Sequence, residues 1–241
     1  FREAAARVAP TIAPVVPELV GILNPSEEDF RFLEGCQQVF RMGLNVSATA
    51  KTYLYETRRH SVAVVDEVGI GYAHQNLSYT LRAKFDSTAR DRMRRCGLLN
   101  DDGNDIVRAG LVTFPIRNRE GRICGFRFKD TAKRYMAQQL RKGMLGGVLF
   151  FGAHTLKELP HGSKVLVCEG EHDWVSLKDH GWNGGLLATC GAITKLQVQW
   201  LADNAEQYTL LTAFDNDGAG DGYRRQVVEA VGVDRVTQYE P

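Results

Sequence analysis

The stretch "VLVCEGEHDWVSL", residues 165–177, runs four apolar residues into Glu169-Gly170-Glu171 and then Asp173. A buried strand usually ends in Gly, Asn or Pro, because an acidic cluster at that point brings only repulsion. Two carboxylates about 4 Å apart repel by ~4 kcal/mol at the effective dielectric near a protein surface. A chain that places acids there needs something to offset the cost, such as a divalent ion or a pair of arginines.

Outward from that stretch the period is regular. "KVLVCE" reads as a strand, "DWVSLKDHGW" a helix, "GGLLAT" a strand, "TKLQVQWLADNA" a helix, "QYTLLTAFD" a strand and "GYRRQVVEAVG" a helix. Strands alternating with helices of this length predict a parallel sheet with helices on both faces. In such sheets ligands sit beyond the carboxyl ends of the strands. Glu169 directly follows one strand, Asp215 and Asp217 directly follow another, and Asp173 falls in the first turn of the next helix. These acids are expected to converge on one sheet edge. Mg²⁺ takes one or two carboxylates together with water and substrate phosphate. Gly170 suits a tight strand exit, while Gly218 and Gly220 let "DNDGAGDGY" turn into a helix whose free amides face an anion. Glu171 and Asp221 read as readily as helix caps or solvated loop residues as they do as members of the acidic site.

Upstream the pattern differs. Four of the seven prolines lie in residues 1–25, which read as an extended arm. "SEEDFRFLEGCQQVF" predicts a helix capped by Ser26, and "SATAKTYLYETR" a second capped by Ser47. "VAVVDEVGIGYA" is a short apolar segment ending in glycine punctuation, and residues 75–110 read as a helix or two with a polar loop. "GLVTFPIRNREGRICGFRFKD" predicts two strands joined through Asn118-Arg119-Glu120-Gly121. The expected organisation is an arm over 1–25, a mixed α+β subdomain over 26–160 and an α/β subdomain over 161–241. Both ends read as cuts through a longer polypeptide.

Composition narrows the function class by exclusion. The 241 residues are 44% hydrophobic and 24% charged, ordinary for a globular protein, and the net charge is +1. That balance conceals a basic stretch: Arg117 to Lys142 carries nine Lys or Arg against two acids. Cysteines 36, 96, 124, 168 and 190 stand alone, so neither a zinc site nor a disulfide framework is indicated, and a reduced cytoplasmic setting is expected. No run approaches the ~20 apolar residues of a membrane span. A G-x-S-x-G elbow and a P-loop are absent, which leaves serine-hydrolase and ATPase readings without support. His154, His161, His172 and His180 lack metal-ligand spacing and read as surface or loop residues, His172 being set apart by its place between two acids. Trp174 and Trp182 are expected to pack the first helix of the α/β half against its sheet, and Arg94-Arg95 to form a solvated basic face, with template contact as the alternative.

"VLVCEGEHD" followed by "LLTAFDNDGAG" resembles the TOPRIM module, with its E-G-x-x-D and D-x-D-x-A-G signatures. The upstream strings "VGIGYA", "LVTFPIRNREGRICGF" and "RKGMLGGVLFFG" are similar to those that precede this module in DnaG-type primases and phage primase-helicases. The likeness covers roughly residues 45–240. It implies a TOPRIM Rossmann-like parallel sheet preceded by a mixed α+β primase subdomain, and an RNA primase core working on single-stranded DNA by two-metal nucleotidyl transfer. It implies that Glu169, Asp215 and Asp217 hold Mg²⁺ or Mn²⁺, with Asp173 as a catalytic acid beside them and no zinc in this chain. Arg117, Lys129, Lys133, Arg134 and Lys142 would bind template or nucleotide, and Tyr135 would either stack on a base or pack against the hairpin. Implied partners are single-stranded DNA, NTPs and a replicative helicase; the alternatives are a non-catalytic DNA- or helicase-binding relative and a TOPRIM nuclease. The chain departs from the family at Ala137, where an Asn is usual, so an amide for the initiating nucleotide would have to come from Gln138 or Gln139.

Overall fold

The computed structural model describes residues 25–74, 77–85, 89–96, 98–99, 102–104, 107, 109–132, 138–139 and 150–239. Of the residues singled out above, the arm up to residue 24 and Lys133, Arg134, Tyr135, Ala137 and Lys142 lie outside that set.

Helix α1 (Glu27–Val46) begins as its sequence predicts. Ser26 Oγ accepts from Asp29 N at 3.2 Å, and Asp29 returns the bond to Ser26 N at 2.9 Å, satisfying two otherwise orphaned amides. Phe32, Leu33, Cys36, Val39, Phe40 and Leu44 recur at helical spacing and are all buried. The segment after Ser47 starts as the short α2 (Ala48–Lys51) but widens into a π-helix over Thr52–Thr57 instead of continuing as one α-helix. "VAVVDEVGIGYA" resolves into α3 (Val62–Val68) and strand β1 (Gly71–Ala73), with Gly69 in the left-handed conformation between them. Helices α4 (Leu77–Lys84) and α5 (Ala89–Arg95) follow. Arg95 of α5 pairs with the buried Asp29 at 3.1 Å, so that end of the basic run has a structural partner.

The expected hairpin is present as β2 (Leu111–Arg117) and β3 (Ile123–Asp130). With β4 (Gln138–Gln139) they form an antiparallel sheet ordered β1-β2-β3-β4. The sequence reading had only the central pair.

The second sheet is parallel: β5 (Lys164–Cys168), β6 (Gly185–Ala188), β7 (Thr209–Ala213) and β8 (Val236–Gln238), in the order β6-β5-β7-β8. β8 closes one edge and was not foreseen. The crossovers contain α6 (Glu171–Asp179), α7 (Lys195–Asn204) and α8 (Gly218–Val231). Alternation along β5 divides the sheet's two faces. Val165 and Val167 join Leu187, Leu201, Leu210 and Val227 beneath α7 and α8. Leu166 and Cys168 join Trp174, Val175 and Leu186, in a cluster continuous with the core of α1, β2 and β3. Helix α6 is therefore enclosed between the two sheets. Trp174 is 1% exposed and donates Nε1–H to Leu186 O at 2.8 Å, while Trp182 donates to Gly185 O at 2.9 Å. Each fully buried Leu, Val or Phe contributes roughly 1.5–3 kcal/mol relative to exposure. Losing the seam would therefore cost both sheets. Among the described residues no helix is long and apolar enough to cross a membrane.

Candidate active site

Chain order sets where the acids meet. From β5 the chain crosses to β6 on one side, then returns past β5 to β7 on the other, so strand order reverses between β5 and β7. Ligands in open α/β sheets bind at that reversal, beyond the carboxyl ends. Glu169 leaves β5 and Asp215 leaves β7 there, on strands that are direct neighbours in register.

Asp217 caps α8, accepting from Ala219 N at 3.0 Å and Gly220 N at 2.8 Å. A Cβ at Gly220 would stand 2.0 Å from Asp215 O, so only glycine lets the first turn of α8 fold this tightly over the strand exit. Asp173 accepts from Gly170 N at 2.8 Å and keeps its solvent contact. Asp215 and Asp217 are also exposed, whereas Glu169 is half-buried and its Oε2 is fully enclosed without a hydrogen-bond partner.

The electrostatics show that the four acids share one field. Burial, and then the charges of Asp215, Asp217 and Asp173, raise the Glu169 carboxyl above its ordinary range, with Lys129 opposing. Asp173 is raised as well, by the protein packed around it and by Asp215, against the Gly170 amide and Lys129. A buried, unpartnered carboxylate oxygen within an acidic field suits a hard divalent cation, and the donors are oxygens only. Among the described residues no three His, Cys, Asp or Glu side chains close around one point as a ready cage. Water and phosphate would have to complete any shell.

The two predicted basic residues that are described, Lys129 and Arg117, lie apart. Lys129 is at the acidic edge: its Nζ lies 2.5 Å from Glu171 and its charge acts on both Glu169 and Asp173. Arg117 is not. It sits at the turn end of the hairpin, where Nη1 donates to Gly121 O at 2.9 Å. Lys129 pairs with Val112, five residues back along β2, which places Arg117 about 17 Å away along the strand.

Several residues here escaped the sequence reading. Glu171 is neither a cap nor a solvated loop residue. It is 0% exposed and ion-paired to Arg127 and Lys129, both on β3. Burial alone would raise its carboxyl, but the two cations outweigh it and hold Glu171 below its ordinary value. Arg127 also donates to Cys190 O, gripping a turn in which Cys190 takes a left-handed φ of 64°. The partners are 42 to 44 residues apart in sequence; the only local signal was the i, i+2 spacing of Arg127 and Lys129, which puts both on one strand face.

Two histidines correct the surface expectation. His172 is 4% exposed, bonded through Nδ1 to His60 Nε2 at 2.9 Å and through Nε2 to the Tyr53 hydroxyl at 3.0 Å. Arg58 Nε donates to the same hydroxyl at 3.0 Å. His154 packs beside Trp174, and burial with the nearby Arg117 pushes it down to about 4. The reason is the same for both: each lies where the two sheets face each other across α6, which periodicity within one element does not reveal.

The family described as Toprim-like matches residues 166–239, the segment that carries all four acids. A DNA primase of Deinococcus radiodurans is 30% identical over 161 residues, covering 63% of this chain and 28% of that protein. This chain therefore spans less than a third of that relative's length. The solved structure of the DnaG catalytic core superposes with a TM-score of 0.68 at 21% identity, covering 87% of this chain and 71% of that one. A DnaG primase catalytic domain bound to ssDNA gives 0.66 at 21% identity, covering 84% and 65%. Residues 166–239 match the Toprim-like family, and the chain shares its fold with the DnaG catalytic core.

Proposed function

We propose that this chain is the catalytic core of a DNA primase, joining NTPs into short RNA primers on a single-stranded DNA template. The observation that carries the reading is Glu169 Oε2, enclosed and unpartnered where the strand order reverses, in the field of Asp173, Asp215 and Asp217. When bound, Mg²⁺ or Mn²⁺ at these acids would lower the pKa of the attacking 3′-hydroxyl and neutralise charge on the departing pyrophosphate. Glu169, Asp215 and Asp217 are the residues to hold it. Asp173, bonded to the Gly170 amide, fixes the strand exit beside them. Lys129 supplies a cation at the edge where a triphosphate would lie. Lys133, Arg134 and Lys142 belong to the same basic stretch of sequence and are the residues to bind template phosphates, a contact that weakens as salt rises. Arg117, at the far end of the hairpin, is suited to template rather than to the reacting triphosphate. The free cysteines accord with a reducing cytoplasmic setting, and a replicative helicase is the partner such a core would serve.

The domain reading follows the same division: residues 26–160 as the basic α+β half, 161–241 as the acidic one. Incubation with single-stranded template, labelled NTPs and Mg²⁺ or Mn²⁺ tests the proposal. Short RNA products support it. Template cleavage would assign the acids to a nuclease, and template binding without products would assign the chain to a non-catalytic relative.

A further inference from the structure

Arg127, Lys129 and Glu171 meet where the hairpin touches the start of α6. Coulomb's law alone would send the Lys129 ammonium outward to Glu169 and Asp173, which share a field with two more carboxylates. It is instead ion-paired to Glu171 at 2.5 Å. Glu171 wins because it is wholly removed from water, where an ion pair is stronger, and because Arg127 fixes its Oε1 and leaves Oε2 for the ammonium. The distance between the two choices is short. A Cβ added at Gly170, the residue between Glu169 and Glu171, would lie 3.7 Å from Lys129 Nζ.

We propose that Glu171 is a positioning residue that draws the Lys129 ammonium inward and so keeps the enclosed oxygen of Glu169 open to a divalent cation. The inference rests on the metal reading above and concerns what this chain's own side chains do to the site. An ammonium released from Glu171 stays in the field of Glu169 and Asp173, where it opposes a divalent ion by its charge and by competing for the same oxygens. A unit positive charge about 6 Å from a divalent ion in a water-like dielectric weakens binding roughly tenfold.

The test is Mn²⁺ titration without nucleotide, following free Mn²⁺ by electron paramagnetic resonance. It compares the wild type, Glu171→Gln, Lys129→Met and the double variant, with thermal unfolding of each recorded alongside. Glu171→Gln is expected to bind Mn²⁺ about tenfold more weakly, Lys129→Met at least as tightly as the wild type, and the double variant within about threefold of the wild type. Unchanged affinity in Glu171→Gln overturns the proposal, as does a double variant as weak as Glu171→Gln, which would make Glu171 a packing residue only. If Glu171→Gln shows no cooperative unfolding, Lys129→Met decides alone: affinity retained or increased supports the proposal, and weakened affinity overturns it. The underlying metal reading is judged separately, by whether wild-type Mn²⁺ binding exists and is lost in Glu169→Gln.

Discussion

Replacing His172 with Asn should remove an acid sensitivity that the wild type carries in the seam between its two sheets. His172 is enclosed by Tyr53, His60 and Phe114, and burial, with the charges of Arg58, Lys129 and His60, pushes it from 6.5 down to about 2. Its two ring nitrogens are both engaged. The orientation that pairs every group has Arg58 donating to the Tyr53 hydroxyl, that hydroxyl donating to His172 Nε2, and His172 Nδ1–H donating to His60. A second proton at Nε2 would meet the hydroxyl hydrogen head-on, beside a guanidinium. Since each pKa unit is worth 1.36 kcal/mol, full protonation inside the fold costs about 6 kcal/mol. The unfolded chain binds that proton near pH 6.5 and the folded chain does not until about pH 2. Stability from this group is therefore intact above pH 6.5 and declines by ~1.4 kcal/mol per unit below it. Between pH 6.5 and 4.5 the loss is about 3 kcal/mol, a large share of the 5–15 kcal/mol typical of a domain. His60, also lowered by burial though partly compensated by Asp179, acts in the same direction and is present in both proteins. Urea unfolding at stepped pH compares the two. The variant starts less stable at pH 7.5 because its hydrogen bonds are poorer, and the gap should close by about 3 kcal/mol at pH 4.5. Parallel curves across that range would refute the reasoning, because they would mean that His172 titrates equally in both states.

Three further outcomes follow from the site and the seam. Asp215→Asn should abolish primer synthesis while leaving single-stranded DNA binding largely intact; undiminished product would remove Asp215 from the metal assignment. Glu169→Gln should stabilise the metal-free protein at pH 8, because the folded state raises this carboxyl and so penalises its ionised form. The gain should shrink as pH falls toward 4.5 and the unfolded chain also becomes protonated. A variant no more stable than the wild type at pH 8 in denaturant unfolding counts against a crowded acidic edge. Gly152→Ala should lower the melting temperature by several degrees, since φ is +90° and a Cβ would stand 2.2 Å from Trp174 Nε1 and 2.3 Å from Leu186 O; an unchanged melting temperature would show that the seam yields easily.

What could be read in the sequence was what neighbouring residues determine. The alternating strands and helices after residue 163, the hairpin around Asn118–Gly121 and the Ser26 cap each depend on residues within a few positions. So did the placing of Glu169, Asp215 and Asp217, since position in a parallel strand fixes the edge on which its end emerges. The rest depended on which elements face each other. Glu171 resembles any helix-start acid until β3 brings Arg127 and Lys129 to it, and His172 resembles a surface residue until the π-helical turn delivers Tyr53. Arg117 and Lys129 look alike within one basic stretch, yet opposite ends of a hairpin give them different surroundings. Strand β8 has three residues and no period long enough to register.

The most direct test of the central claim is a crystal of the protein soaked in Mn²⁺, with the metal located by its anomalous scattering. The account predicts a peak at the carboxyl ends of β5 and β7, about 2.0–2.3 Å from a carboxylate oxygen of Glu169 and within reach of Asp215 or Asp217. An empty edge at saturating Mn²⁺, or Glu169 turned away from Asp215, would contradict it.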